Sequence, residues 1–308
     1  MIRRLAAAIP VLLAVLTLAF LAMRLVPGDP VETMLAAGPP PTPEQEQALR
    51  HQLGLDRPVV EQYLDFLADA AHGDFGRSVR TGEPVGDVIA AVAPASVELA
   101  VAALVLALVF GVGIALLGRA TRLRWLRAVC EGVPVVAMST PGYWVALVLI
   151  EVFSFRLPLF PASGDHGFAA LVLPAITVAL PAIGVFAQVL GAGLAAVDAE
   201  AFVLTARAKG AGRWRVLLRH ALRNASIPTI TLVGTTVGNL LAAAVVAETV
   251  FARPGLGRVT LTAVTTHDLP VLQGVVALLG LLYVVVNLLV DVCYVLVDPR
   301  VTADRIRG

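Results

Sequence analysis

The chain has 308 residues, 58% of them hydrophobic and only 15% charged, with a formal net charge of +1 and a mean hydropathy of +0.85. Soluble domains hold roughly 45–50% apolar and about 25% charged residues, so this composition excludes a soluble globular protein. Near-neutral charge gives no basis for nucleic-acid binding, and two cysteines at or near apolar stretches, Cys130 and Cys293, make no disulfide framework.

Six stretches lack Asp, Glu, Lys, Arg and His: Leu5–Met23, Leu99–Gly118, Gly132–Ile150, Gly167–Val197, Ala225–Ala247 and Leu269–Val290. Each reaches the ~18 apolar residues of a membrane-spanning helix, and backbone groups in lipid must bond internally. The runs are too long and too weakly alternating for a β-barrel. The expected fold class is therefore all-α: a polytopic membrane protein with six transmembrane helices.

The first stretch follows Met1-Ile2-Arg3-Arg4, which resembles the charged start of a signal peptide. Its apolar run exceeds the usual 7–15 residues of such peptides, so a retained anchor is expected. Residues 27–94 then form the largest polar segment, expected to be a helical cap outside the membrane. Gly38-Pro39-Pro40-Pro41 is a stiff connector. Thr42 reads as a helix cap with Pro43 at the first position and Gln45 closing a capping box, and that helix should stop near Gly54. Pro58 opens a second helix whose Val60, Tyr63, Leu64, Leu67 and Ala71 share one face, ending by Gly73. In the third stretch Pro134 and Pro141-Gly142 weaken the helix, and in the fourth Pro174 and Pro181 each remove a hydrogen bond. At 1.5 Å per residue the fourth stretch would extend about 46 Å, against a hydrocarbon core of ~30 Å. It must kink or continue into the cytoplasm.

Orientation follows from arginine placement. With the N-terminus inside, segments 1–4, 119–131, 198–224 and 298–308 hold fifteen of the 23 basic residues. The 27–98 segment has four basic residues against twelve acids. The positive-inside rule puts both termini in the cytoplasm.

Chemistry is sparse. Glu98, Glu151, Glu248 and Asp291 sit at the ends of stretches, where snorkelling or helix-terminal pairing is expected. The five histidines are scattered with no metal-ligand spacing, although His166 and His267 both face outward in this topology. Lys209 is the sole lysine and precedes Gly210, so no phosphate-binding P-loop exists, and no Gly-x-Ser-x-Gly elbow occurs. An enzyme is not expected, nor a cofactor or metal held by this chain.

One segment stands out between the apolar runs: Asp198 to Pro228, an amphipathic basic loop. Ala201–Gly210 reads as a short helix ended by glycine, Trp214–Leu222 as a second with Arg215, Arg219 and Arg223 among apolar residues, and Pro228 as the opening of the next span. An interfacial helix on anionic lipid would explain the arginines. The compact Thr205-Ala206-Arg207-Ala208-Lys209-Gly210 turn suits close approach by another protein.

Thr205–Gly210, followed by Arg219-His220-Ala221-Leu222-Arg223-Asn224-Ala225 and Pro228, resembles the coupling loop of binding-protein-dependent ABC importer permeases. The resemblance extends over nearly the whole chain. It takes in Leu25-Val26-Pro27-Gly28-Asp29-Pro30, Leu53-Gly54-Leu55-Asp56-Arg57-Pro58 and Gly73-Asp74-Phe75-Gly76-Arg77-Ser78. Glu248-Thr249-Val250-Phe251, Pro254-Gly255-Leu256-Gly257-Arg258 and Asp298-Pro299-Arg300 complete it. The chain is most similar to the dipeptide/oligopeptide/nickel permeases, in their B-type subunits with an outer cap.

The resemblance implies half of a translocation pore, paired with a paralogous permease. Residues 199–215 would sit in a groove of an ATPase subunit, with Phe202, Thr205, Ala206, Arg207, Ala208, Lys209 and Gly210 as the coupling residues. Two ATPase subunits or domains would bind the ATP and magnesium, and an external binding protein would deliver substrate to this bacterial inner-membrane complex. Residues 1–26 would be the N-terminus and first span, 27–94 the cap, 95–297 the permease core with its 198–224 loop, and 298–308 a cytoplasmic tail. Two features depart from the general importer pattern: Leu204-Thr205-Ala206 replaces Glu-Ala-Ala, and the outer loop Ser154–His166 is short. A secondary carrier would need ionisable groups in the membrane or an internal repeat, and the sequence has neither. The implied substrate is a di- or oligopeptide, with nickel or a metal–metallophore complex as the alternative.

Overall fold

A computed structural model describes residues 2–25, 42–52, 56–165, 167–198, 200–210 and 212–297. Among these the regular structure is helical, apart from one isolated bridge between Arg77 and Pro84. The helices are α1 (Ile2–Leu25), α2 (Pro43–Gln52), α3 (Val59–Ala71), α4 (Val85–Ala120), α5 (Arg124–Ser139) and α6 (Gly142–Ile150). They continue with α7 (Gly167–Asp198), α8 (Ala201–Ala208), α9 (Arg213–Val216), α10 (Leu222–Val250), α11 (Leu256–Thr265) and α12 (Leu269–Val297). Wide π-helical turns at Glu151–Arg156 and Leu217–Ala221 follow α6 and α9.

Among the described residues four helices are long and apolar enough to cross a membrane, at Val85–Ala120, Gly167–Val197, Thr231–Val250 and Leu269–Val290. The third stretch of the sequence is not a straight span. Arg124–Ser139 and Gly142–Arg156 meet at 104°, and counting that bent pair as one span gives five. The bend falls where Thr140 and Pro141 are extended, because the proline ring disfavours α geometry in the residue before it. Within α1 the apolar part among the described residues is Ile9–Leu21.

The chain divides into two compact units, residues 1–95 with 254–284, and residues 96–253 with 285–308. In the first unit, α1 meets α3 through aromatic rings. Phe20 lies 5.3 Å from Tyr63 and 5.7 Å from Phe66 between ring centroids, and the Thr17 hydroxyl and Tyr63 phenol share a 2.6 Å hydrogen bond. This corrects part of the expected cap face, of which Tyr63 and Leu67 are half-buried as expected. Val60, Leu64 and Ala71 are exposed, while Tyr63, Phe66 and Ala70 turn inward, because Phe66 offers a larger surface to Phe20 and Phe75. The start of α2 at Pro43 is as expected, with the Glu46 amide donating to the Thr42 carbonyl. The Gln45 side chain and residues 53–55 lie outside the described residues. A second core in this unit joins Val85 and Ile89 to Leu256, Ala263, Val271 and Val275. Buried Asp268 accepts from the Ser78 hydroxyl and, at 3.1 Å, from the Val79 amide, fixing the turn before α4.

The second unit is organised around α7, which packs against α5, α6 and α10. Its core joins Leu99, Ala103 and Ala107 of α4 to Leu173, Phe186, Leu240 and Phe251. Helices without a hydrophobic drive between them associate through small residues. At Gly184 a methyl group would stand 2.6 Å from the Pro134 carbonyl oxygen, so only glycine lets α5 and α7 approach this closely. Pro174 and Pro181 lie inside α7, which remains one 32-residue helix, about 48 Å long. Likewise α4 runs through Pro94 for 36 residues, carrying the backbone past the point where the cap was expected to end.

Candidate functional site

The basic segment begins where α7 ends at Asp198. The Val203 amide donates to the Glu200 carbonyl at 3.0 Å and starts α8, whose Val203 side chain is fully buried. Positions 201, 205 and 208 follow the i, i+4, i+7 spacing of one helix face, and Ala201, Thr205 and Ala208 are all exposed. The Thr205 hydroxyl bonds back to the Ala201 carbonyl at 2.9 Å, so its methyl and the two alanines leave a low, smooth face. Lys209 and Gly210 are exposed at its end. Gly210 has φ of +81°, the left-handed conformation that terminates a helix, and a side chain there would meet no other atom within 4 Å. The glycine is therefore required by backbone geometry and not by crowding within the chain. The side chains of Phe202, Ala206 and Arg207 lie outside the described residues.

Beyond Gly212 the expected second helix is not a separate piece. α9, its π turn and α10 follow without a break from Arg213 to Val250, and Pro228 lies inside α10 instead of opening a span. Burial gives the reason. Leu217, Ala221 and Ala225 pack against Ala115 of α4 and Leu190 and Leu194 of α7, which extends the helix below the proline. Trp214 and Arg215 remain exposed on the same stretch. The basic segment thus pairs a small-residue face with an anchor in the three-helix core of its own unit.

The remote end of the unit holds charge that the expected snorkelling does not describe. From Ala170 to Asp198 runs about 42 Å of α7, so Ala170 lies far from α8. There Glu248 is 1% exposed and accepts from the Ser96 hydroxyl at 2.5 Å. Arg253, also 1% exposed, donates to the Ala170 carbonyl and to the Glu98 carboxylate, each at 3.3 Å. Burial of these groups requires partners, since an isolated buried charge costs several kcal/mol or more. Glu151, by contrast, behaves as expected, pairing with Arg156 at 2.9 Å on the exposed end of its own helix. Sequence reasoning missed Arg253 and Ser96. The available signal was a lone arginine in Phe251-Ala252-Arg253-Pro254, directly after an apolar helix. His267, with φ of +55°, sits in the turn after α11, and His166 and the Asp291 side chain lie outside the described residues.

Comparison with known proteins decides the family. Residues 107–303 match the model of the binding-protein-dependent transport system inner membrane component, and residues 1–100 match that of its N-terminal part. The chain belongs to this family. The permease is 37% identical, over 98% of both chains, to a candidate peptide transport system permease protein of Brucella abortus (strain 2308). It is 36% identical to the glutathione transport system permease protein of Escherichia coli (strain K12), over 97% of both chains. The probable D,D-dipeptide transport system permease protein of the same strain is 34% identical over 94% of both. Among solved structures, an inward-facing MetNI methionine ABC transporter chain superposes with a TM-score of 0.56 at 16% identity, over 66% of the permease and 93% of that chain. The fold is shared at that distance. The permease is therefore a multi-pass membrane subunit of an ABC importer in the peptide family, and not itself an enzyme.

Proposed function

We propose that the permease forms half of a translocation pore for di- or oligopeptides and receives the ATPase stroke through residues 199–215. The observation that carries the coupling reading is the exposed face of Ala201, Thr205 and Ala208, ended by Gly210 and held to the unit's core through Leu217 and Ala221. A face of small residues lets a partner approach the backbone closely, and a rigid anchor passes the displacement to α7 and α10. ATP and magnesium belong to the ATPase partners, a paralogous permease completes the pore, and an external binding protein delivers substrate. The arginine-rich loops put both termini in the cytoplasm of a bacterial inner membrane. Residues 27–94 cap the outer side and 95–297 carry the core, whose apolar helices face membrane lipid.

Peptide is favoured as substrate because relatives matched over nearly their whole length carry peptide, dipeptide and glutathione names. Uptake of a labelled di- or tripeptide and of labelled nickel, with and without metallophore, in a strain lacking the permease tests this. Selective loss of peptide uptake is the expected result. Selective loss of nickel uptake would overturn it in favour of metal import.

A further inference from the structure

Helix α10 ends in an unusual way. The Arg253 amide donates to the Glu248 carbonyl at 2.9 Å, the bond spanning six residues that closes a helix through a left-handed residue. That residue is Ala252, at φ of +51°, where glycine is the unstrained choice. The turn aims Arg253 back into the bundle. Its two guanidinium bonds, at 3.3 Å, are longer than the ~2.7–2.9 Å of a well-formed charge-assisted bond, and its buried Nε has no partner. Of the pair, Arg253 is buried while the Glu98 side chain is 58% exposed. Strain, an unpartnered buried donor and a stretched ion pair at one point mark an arrangement held for a purpose other than stability.

We propose that Arg253 and Glu98 form a charge latch that holds together the ends of α4, α7 and α10 remote from α8, and that it opens during the transport cycle. The inference rests on the coupling reading of α8. When ATPase closure moves α7 and α10 at the α8 end, their remote ends must draw away from α4 for substrate to enter. The ion pair is one contact that resists this, and its half-exposed carboxylate can be rehydrated on opening. The Ser96–Glu248 bond also joins α4 to α10 and must part with the pair, so Glu248 and Arg253 both change neighbours on opening. Arg253 is a positioning residue: it sets the balance between closed and open bundles without touching the permeant.

The test uses the complete transporter, reconstituted with its ATPase subunits and binding protein. Glu98→Gln removes the charge pair at a half-exposed position. It is expected to raise ATP turnover in the absence of binding protein about fivefold, the factor that about 1 kcal/mol corresponds to. Raising the ionic strength should do the same to the unaltered transporter and leave Glu98→Gln unmoved, because salt screens a half-exposed pair. Unchanged turnover in Glu98→Gln, or an equal salt response in both proteins, would overturn the latch. So would a lower membrane level with unchanged turnover per assembled complex, which is a structural role only. Gly210→Val in parallel separates the readings: if it transports normally, the coupling reading fails irrespective of the latch result.

Discussion

The two ends of the unit built on α7 solve opposite problems. At the α8 end, the contacts are small and apolar: Ala115, Leu190, Leu194, Leu217, Ala221 and Ala225 close the core, and the exposed face above them is alanine and threonine. At the other end, Ser96, Glu98, Glu248 and Arg253 add buried hydrogen bonds and a charge pair to the apolar contacts of Leu99, Leu173 and Phe251. Close-packed apolar contacts are rigid and lose energy steeply with sub-ångström displacement. A polar contact with one half-exposed partner, such as Glu98, can be exchanged for water at less cost than a fully buried one. An end that must transmit a push suits the first, and an end that must part and close suits the second.

The contrast can be broken most strongly at the rigid end. Gly210→Val puts a β-branched side chain at φ of +81° and should lower ATP-driven uptake at least tenfold with normal membrane levels, as quantitative blotting beside uptake would show. Gly184→Leu forces a side chain into the 2.6 Å approach of α5 and α7, and overpacking of this kind costs about 1–3 kcal/mol. Reduced accumulation of folded protein and a lower melting temperature in detergent are expected.

Changes at the polar end should be smaller. Ser96→Ala takes a donor from buried Glu248 and should destabilise by about 1–3 kcal/mol, read as a lower melting midpoint of the purified protein. Ala252→Gly relieves a left-handed alanine and should stabilise by about 1 kcal/mol, raising that midpoint by roughly 2 °C. Smallest of all, Val60→Asp on α3 alters a side chain that is 68% exposed and should shift stability by less than about 0.5 kcal/mol. A large loss there would return Val60 to the packed face that its spacing first suggested.

What the sequence revealed follows the same division. Long apolar runs and arginine-rich loops disclose helices and their class because lipid leaves the backbone little choice. The Thr205–Gly210 turn was visible because small residues and a lone lysine are conspicuous between such runs. The break at Thr140-Pro141 was signalled only as a weakness, since proline marks a site of bending without giving its 104° angle. Tyr63 and Leu67 were legible as packed, but Phe66 could not be ranked above Val60 and Leu64, because periodicity does not say which side of the helix meets Phe20. Arg253 and Glu248 were hidden for a related reason: an acid or arginine next to an apolar run reads as facing water, and only the left-handed turn at Ala252 directs Arg253 inward. The continuity of the helix through Pro228 depended on burial of Leu217 and Ala221 by distant residues, which local pattern does not contain.

The most direct measurement places a photo-crosslinking side chain at Thr205 in one preparation and at Val203 in another, within the intact transporter in membranes. Thr205 lies on the exposed face of α8 and Val203 is fully buried beneath it. A covalent adduct between the permease and an ATPase subunit from position 205, with none from position 203, is the expected result. Adducts from both positions, or from neither while uptake persists, would contradict coupling through this face.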